Sequence, residues 1–353
     1  MSPIPEPEPP SRGLLDLAGR PSLASCPSTQ SLCLELAARG APEGTVVWAR
    51  EQTAGRGRGG NLWHSPPGQG LWLSFLLRPR VSGPDWPALT PLVAVAMCEA
   101  IETLPRSATG EVAADDAPAA AGDSPTALGH SPTVLSASLT EAGAPSAATR
   151  GSPNAKPRVV GIKWPNDLVG RRGKLGGILA EASREAVVVG VGINLSQCAG
   201  DFPPEIAAGA SSLWIEGFRD PERAPGRSGP APAGAPPRAP APAPAPAGAH
   251  AAAPAHAAAR APAPETLAAR FNDRLTRAYS RFQNGEREYL REGLLRRFFL
   301  RGAWVAVDAE GTVTEGAAED IGERGELVIA TSAGPRALSS GRVVRYRGES
   351  YWG

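Results

Sequence analysis

The apolar positions of this chain follow two rhythms, one of helices and one of strands, and both are lost over three long stretches. After Ser28-Thr29, the segment SLCLELAARG repeats its apolar residues at helical spacing and stops at Gly40, which predicts a capped helix over about residues 29–39. TVVWAR (45–50) and LWLSFLL (71–77) are short runs of β-branched, aromatic and leucine residues, the pattern of buried strands. A long glycine-rich loop separates them. PALTPLVAVAMCEAIETL (87–104) predicts a second helix and VVGIKW (159–164) a further strand, while KLGGILAEAS and EAVVVGVGINL read as two strands joined by a tight turn near Arg184-Glu185. Helical periodicity returns over 265–283 and 286–299, with a break at Asn284-Gly285. From Trp304 onward, short alternating runs separated by glycine turns predict a small all-β barrel. No period of 20 to 50 residues repeats, so no solenoid is expected.

Composition narrows the foldable part. Residues 1–27 are rich in proline, 105–157 in Ala, Ser, Pro and Thr, and 217–264 end in APAPAPAGAHAAAPAHAAARAPAP. Such segments bury too little apolar surface to order themselves, which leaves 225 of the 353 residues for one medium and one small domain. A net charge of +1, from 36 bases against 35 acids, provides no overall field for DNA, RNA or an anionic membrane. Cys26, Cys33, Cys98 and Cys198 form no CxxC pair, and His64, His130, His250 and His256 form no ligand cluster, so a reducing cytoplasm without structural zinc is expected. The longest apolar run, LVAVAMCEAI (92–101), is too short for a bilayer, and the first residues are prolines and glutamates, unlike an export signal.

Three motifs carry candidate chemistry. EQTAGRGRGGNLWHSP (51–66) alternates Gly55, Gly57, Gly59 and Gly60 with Arg56 and Arg58, so backbone amides and guanidinium forks can approach an anion; a flexible RG-rich surface loop has the same composition. It is neither a Walker loop nor a dinucleotide fingerprint. The second, GIKWPNDLVGRRGKLGGIL (161–179), holds Lys163 and Lys174, two of only three lysines in the chain. Trp164-Pro165-Asn166-Asp167 ends the strand in a turn, gathering an ammonium, a carboxamide and a carboxylate at one corner. An ordinary charged turn would look similar, but a chain that so consistently uses arginine has two lysines here. An ammonium on a long stem can follow charge moving between two anions, whereas a guanidinium suits a fixed bidentate partner. The third, GVGINL (190–195), has glycines that permit close approach and Asn194 at a strand end, or is a glycine-kinked core strand.

GRGRGG, KWPNDL, GKLGGIL and GVGINL, in this order, resemble the signature of the biotin protein ligases, monofunctional type, over roughly the 225 foldable residues. The resemblance implies an α+β fold: a mixed-sheet catalytic domain with helices packed on it over 28–300, interrupted by insertions 105–157 and 217–264. An SH3-like barrel would follow over 301–353, with 1–27 as a disordered tail. It implies ATP-dependent activation of biotin as biotinyl-5'-AMP and transfer to a lysine of a biotin carboxyl carrier domain. By this likeness Ser28, Thr29, Gln30 and Gln52 would read the polar end of biotin, and Gly55, Arg56, Gly57 and Arg58 would fold over it. Trp63 would lie on the adenine side, while Lys163, Asn166 and Asn194, with Arg58, would hold ATP. Lys174 would stand between the biotin carboxylate and the α-phosphate, with Gly177 alongside. Asp167 would orient the acceptor amine, touch Mg2+ through water, or only cap the turn; Mg2+ would be held mainly by phosphates. The 27 residues before Ser28 leave no room for a DNA-binding winged helix; the expectation is no DNA and no membrane partner, with a homodimer left open. Two rivals stand beside this reading: a lipoate or octanoate ligase of the same fold, and a non-catalytic biotin-binding sensor.

Overall fold

The computed structural model describes residues 13–17, 22–106, 160–183, 185–220, 261–346 and 349–350. Its first sheet comprises β1 (Val46–Ala49), β2 (Gly70–Leu77), β3 (Gly161–Lys163), β4 (Asp167–Val169), β5 (Lys174–Ser183) and β6 (Ala186–Asn194), in the order β1-β2-β6-β5-β4-β3. Every ladder in it is antiparallel, and parallel pairing is confined to isolated bridges such as Leu23–Ala49, Cys26–Gln52 and Ile162–Phe298. The mixed character expected of the sheet therefore lies at its margins.

Period-two alternation sends successive side chains of a strand to opposite faces. Leu71, Leu73, Phe75 and Leu77 of β2 join Val187, Val189, Val191 and Ile193 of β6 in the main core. That face is covered by α2 (Leu89–Glu102) and α4 (Pro264–Gln283), with α5 (Glu288–Leu295) beside them; a single helical turn, α3, occupies Pro204–Ala207. Helix α2 is buried nearly all round, whereas α4 buries Leu267, Phe271, Leu275, Ala278 and Phe282 at three- and four-residue spacing. Pro264 starts α4, and Gly285 ends it with φ 82°, a left-handed conformation that glycine adopts without strain. On the opposite face, α1 (Thr29–Ala38) covers only one end, packing Cys33 on Val47, Leu76, Ala186 and Val188. The rest of that face stays open.

The periodicity expected over 286–299 yields a shorter helix. After Leu295 the chain turns through Arg296, and the amide of Ile162 donates to Arg297 O (2.8 Å) while Phe299 donates to Ile162 O (3.1 Å). Pairing with the edge of β3 satisfies more of this backbone than another turn of helix would.

The boundary at residue 27 assigned to the tail falls too late. Leu15 is buried at 1% exposure, its amide donates to Asn272 Oδ1 (2.8 Å), and Leu23 and Cys26 bridge the outer edge of β1. Of the insertions, 107–159 and 221–260 lie outside the described residues, as does Arg184 of the expected turn, across which Ser183 pairs with Ala186. The described margins are structured: Arg106 pairs with the buried Phe218, and α4 begins at Pro264.

The second sheet contains β7 (Trp304–Ala309), β8 (Thr312–Ile321), β9 (Leu327–Thr331), β10 (Gly334–Leu338), β11 (Arg342–Tyr346) and β12 (Glu349–Ser350), ordered β10-β9-β8-β7-β11-β12. The SH3-like barrel expected here is not closed, since no pairing among the described residues joins β10 to β12. This sheet touches the first through Trp164, whose indole donates to Gly325 O at 2.9 Å.

Candidate functional site

The open part of the first sheet forms the floor of a cavity. Gly177 of β5 pairs with Gly192 of β6, and Gly190 lies opposite Ser74 of β2, so three neighbouring positions carry no side chain into the space. Adding a Cβ at Gly192 would bring it 2.5 Å from Trp63 Nε1, and at Gly190 2.7 Å from Gln30 Oε1. Gly192 in particular leaves the room that the Trp63 ring occupies.

One wall is the first turn of α1. Thr29 Oγ1 lies 2.9 Å from Ser74 Oγ and donates to Gln52 Oε1 at 3.0 Å, and Ser74 Oγ donates to Gln30 Oε1 at 3.2 Å. Thr29, Gln30 and Ser74, all buried, and the half-buried Gln52 form a row of donors and acceptors at one end of the cavity. Ser28 is occupied as the N-cap, its hydroxyl accepting from the amide of Ser31 (3.4 Å), and does not line the cavity.

The glycine-rich segment is a folded hairpin over the floor. Gly57 donates to Asn61 O (2.8 Å) and Trp63 to Gly55 O (2.9 Å), while Gly59 and Gly60 turn the chain with φ of 63° and 80°. Its two arginines reach opposite sides. Arg56 meets Glu181 at 2.7 Å, and Glu181 also accepts from Gln30 Nε2 at 2.9 Å. Arg58 donates to Asn166 Oδ1 (3.0 Å) and to Gly341 O of the second sheet (3.2 Å). Burial lowers the Arg58 pKa and the charge of Asp167 opposes that shift. Trp63 lies over the glycine floor, edge-on to Trp72, and its indole N–H finds no partner among the described residues.

The KWPND corner gathers as the sequence suggests. Lys163 and Asp167 face each other across the β3–β4 hairpin, whose turn contains a cis Trp164-Pro165 peptide. Asp167 lies between the two lysines: Oδ1 is 3.0 Å from Lys174 Nζ and accepts from Asn166 Nδ2 at 3.1 Å, while Oδ2 is 3.8 Å from Lys163 Nζ. Desolvation lowers the Lys163 pKa from 10.5 to about 8; Asp167 opposes this, and the charges of Lys174 and Arg342 add to it. Lys174 lines the cavity, 5.3 Å from the Trp63 ring centre.

Of the expected site residues, Thr29, Gln30, Gln52, Arg56, Gly57, Arg58, Trp63, Asn166, Lys174 and Gly177 line one cavity. Gly55, Lys163, Asp167 and Asn194 stand behind that lining; Asn194 donates to Ser211 O at 2.9 Å. Sequence reasoning did not single out Ser74, Glu181 or the second-sheet groups Gly341 and Arg342. Glu181 had a faint signal as an acid in an otherwise apolar strand; the second-sheet groups had none. Among the described residues no three His, Cys, Asp or Glu side chains could hold a metal ion, and Asp167 is already engaged by two ammonium groups and an amide. The described residues do not form a Mg2+ site of their own.

Residues 23–197 match the model of the Biotin/lipoate A/B protein ligase family. Over 191 residues it is 36% identical to the bifunctional ligase/repressor BirA of Bacillus spizizenii, covering 53% of this chain and 43% of that one. Over 203 residues it is 31% identical to a biotin--[acetyl-CoA-carboxylase] ligase of Mycobacterium tuberculosis, covering 57% of each. The chain thus spans about half the length of these curated relatives. Its fold is shared with a biotin protein ligase from Aquifex aeolicus solved with biotin and ATP, at TM-score 0.57 and 20% identity, covering 91% of this chain and 95% of that one. No helix among the described residues is long and apolar enough to cross a membrane.

Proposed function

We propose that the protein is an ATP-dependent biotin protein ligase, which joins biotin to AMP with release of pyrophosphate and then passes biotin to a lysine of a carboxyl carrier domain. The observation that carries this reading is the position of Lys174, a cavity-lining ammonium held by Asp167 beside a glycine floor, beneath an arginine-bearing hairpin. Attack of a carboxylate on an α-phosphate brings two anions together, and at about 4 Å their repulsion is about 4 kcal/mol at an effective dielectric near 20. A preorganised ammonium offsets this repulsion and is well placed to follow the charge onto the leaving pyrophosphate. Arg58, anchored on Asn166, adds a second fixed charge, and Lys163 and Asn194 are the further groups assigned to the nucleotide.

The row Thr29–Ser74–Gln30–Gln52 favours biotin over lipoate. A cyclic urea presents two N–H donors and a carbonyl acceptor that can exchange hydrogen bonds with such a row, whereas a dithiolane ring offers it neither a strong donor nor a strong acceptor. An acyl transferase working through a thioester has no support either, because all four cysteines are buried and burial pushes the Cys33 thiol up to about 12. The hairpin of residues 55–63 would shield the mixed anhydride from water until the acceptor arrives. Companion outcomes test the reading: the chain should release pyrophosphate from biotin plus ATP and transfer labelled biotin to a carrier domain, and Lys174→Ala should abolish both. Binding of biotin without pyrophosphate release would instead support the sensor, and preferential turnover of lipoate would support the other ligase.

A further inference from the structure

We infer that Glu216 is a positioning residue for adenylate formation, fixing the locations of Lys174 and Asn194 together through one short loop. The inference rests on the ligase reading above. Glu216 is 5% exposed, and both its oxygens are used. Oε2 accepts the amide of Arg171 at 3.1 Å, and Oε1 accepts the amide of Arg172 and the hydroxyl of Ser211, both at 2.9 Å. Arg171 and Arg172 form the turn that immediately precedes Lys174. Ser211 is bonded on three sides: besides its hydroxyl on Glu216, its amide donates to Lys174 O (2.8 Å) and its carbonyl accepts from Asn194 Nδ2 (2.9 Å). Lys174 is held on its other side by Gly209 O, 2.8 Å from its amide.

A carboxylate suits this position because its lone pairs meet donors from both sides without offering a hydrogen of its own. Glutamine would have to aim an N–H at one of those donors, and aspartate would fall one methylene short. Gly170 is shaped to the same group: a Cβ there would lie 2.4 Å from Glu216 Cδ and Oε1. Gly192 and Gly190 of the floor leave room for Trp63 and Gln30, whereas this one makes room for the carboxylate. A small shift of the loop would move the ammonium and the carboxamide in concert, and placement errors near 1 Å are known to cost about 100-fold in rate.

The test separates the two half-reactions in the full-length chain. Mutual repulsion of carboxylate and phosphate exists only in the first, so Glu216→Gln should slow adenylate formation from biotin and ATP by about tenfold or more, with transfer from supplied biotinyl-5'-AMP to a carrier domain kept within about twofold. Gly170→Ala, which displaces the carboxylate without removing its charge, should give the same split. Ser211→Ala, which deletes one of the three bonds and spares the fold, should give a weaker version of it, about threefold. Equal losses in both half-reactions, or unchanged adenylate formation in all three variants, would overturn the inference while leaving the ligase reading intact. A wild-type chain that makes no adenylate would overturn both.

Discussion

The two faces of strand β6 are built to opposite specifications. Toward α2 the strand presents Val187, Val189, Val191 and Ile193, which pack against Leu77, Phe75, Leu73 and Leu71 of β2 in matching register. Toward the other side it presents Ala186 and Val188 under α1, then Gly190 and Gly192, then Asn194. Side chains are missing from this face at Gly190 and Gly192, where the helix cover ends, and the cavity begins there. The packed face supplies the rigidity with which the bare face can hold a ligand, because a sheet fixed by a close-packed core on one side has little freedom to sag into a void on the other.

This contrast can be broken most severely from the bare side. Gly192→Val would place methyl groups where Trp63 and any ligand must lie, so pyrophosphate release should fall by about 100-fold or more, while the thermal melt stays within a few degrees of wild type. Normal turnover in that variant would remove the cavity from consideration. Lys174→Arg keeps the charge but replaces a compact ammonium with a planar fork, and adenylate formation should drop by about tenfold or more. Full activity there would defeat the argument for a mobile charge. From the packed side the expected result is reversed. Val189→Ala removes two buried methyl groups and should destabilise the fold by about 2 kcal/mol in denaturant titration, with the KM for biotin unchanged.

The effect that is smallest near neutrality is a pH dependence at the corner behind the floor. Because the Lys163 pKa of about 8 lies below its usual 10.5, the unfolded chain binds more protons between those values. This residue's contribution to stability therefore rises with pH across that window, while its charge toward a nucleotide is lost. The kcat/KM for ATP should decline above about pH 8, approaching tenfold per pH unit, and Lys163→Arg should remove that limb from the profile. A limb that persists in the arginine variant belongs to another group.

Much of this could be read along the chain. The N-cap at Ser28, the strands around residues 46–49 and 70–77, the long α4 and its end at Gly285 all follow from local periodicity and turn residues. So did the gathering of Lys163, Asn166 and Asp167 at one corner, which the structure makes a hairpin. What failed to show were features set by distant partners. Residues 13–17 looked like part of a proline-rich tail, yet Leu15 is held by Asn272, which comes more than 250 residues later. The end of α5 is decided by the edge of β3, and Glu181 gains its role only when helix α1 and the glycine-rich hairpin converge on it.

The order of residues alone determined the periods of the helices and strands and the chemical types in the motifs, since each depends on neighbours a few positions away. Only the tertiary structure decided that Arg58 would reach Gly341, that one aspartate would lie between two lysines, and that Glu216 would close the turn before Lys174. Those contacts join residues far apart in the chain. They form because burying one face of a twisted sheet leaves few places where its remaining polar groups can be satisfied, and that solution belongs to the whole fold.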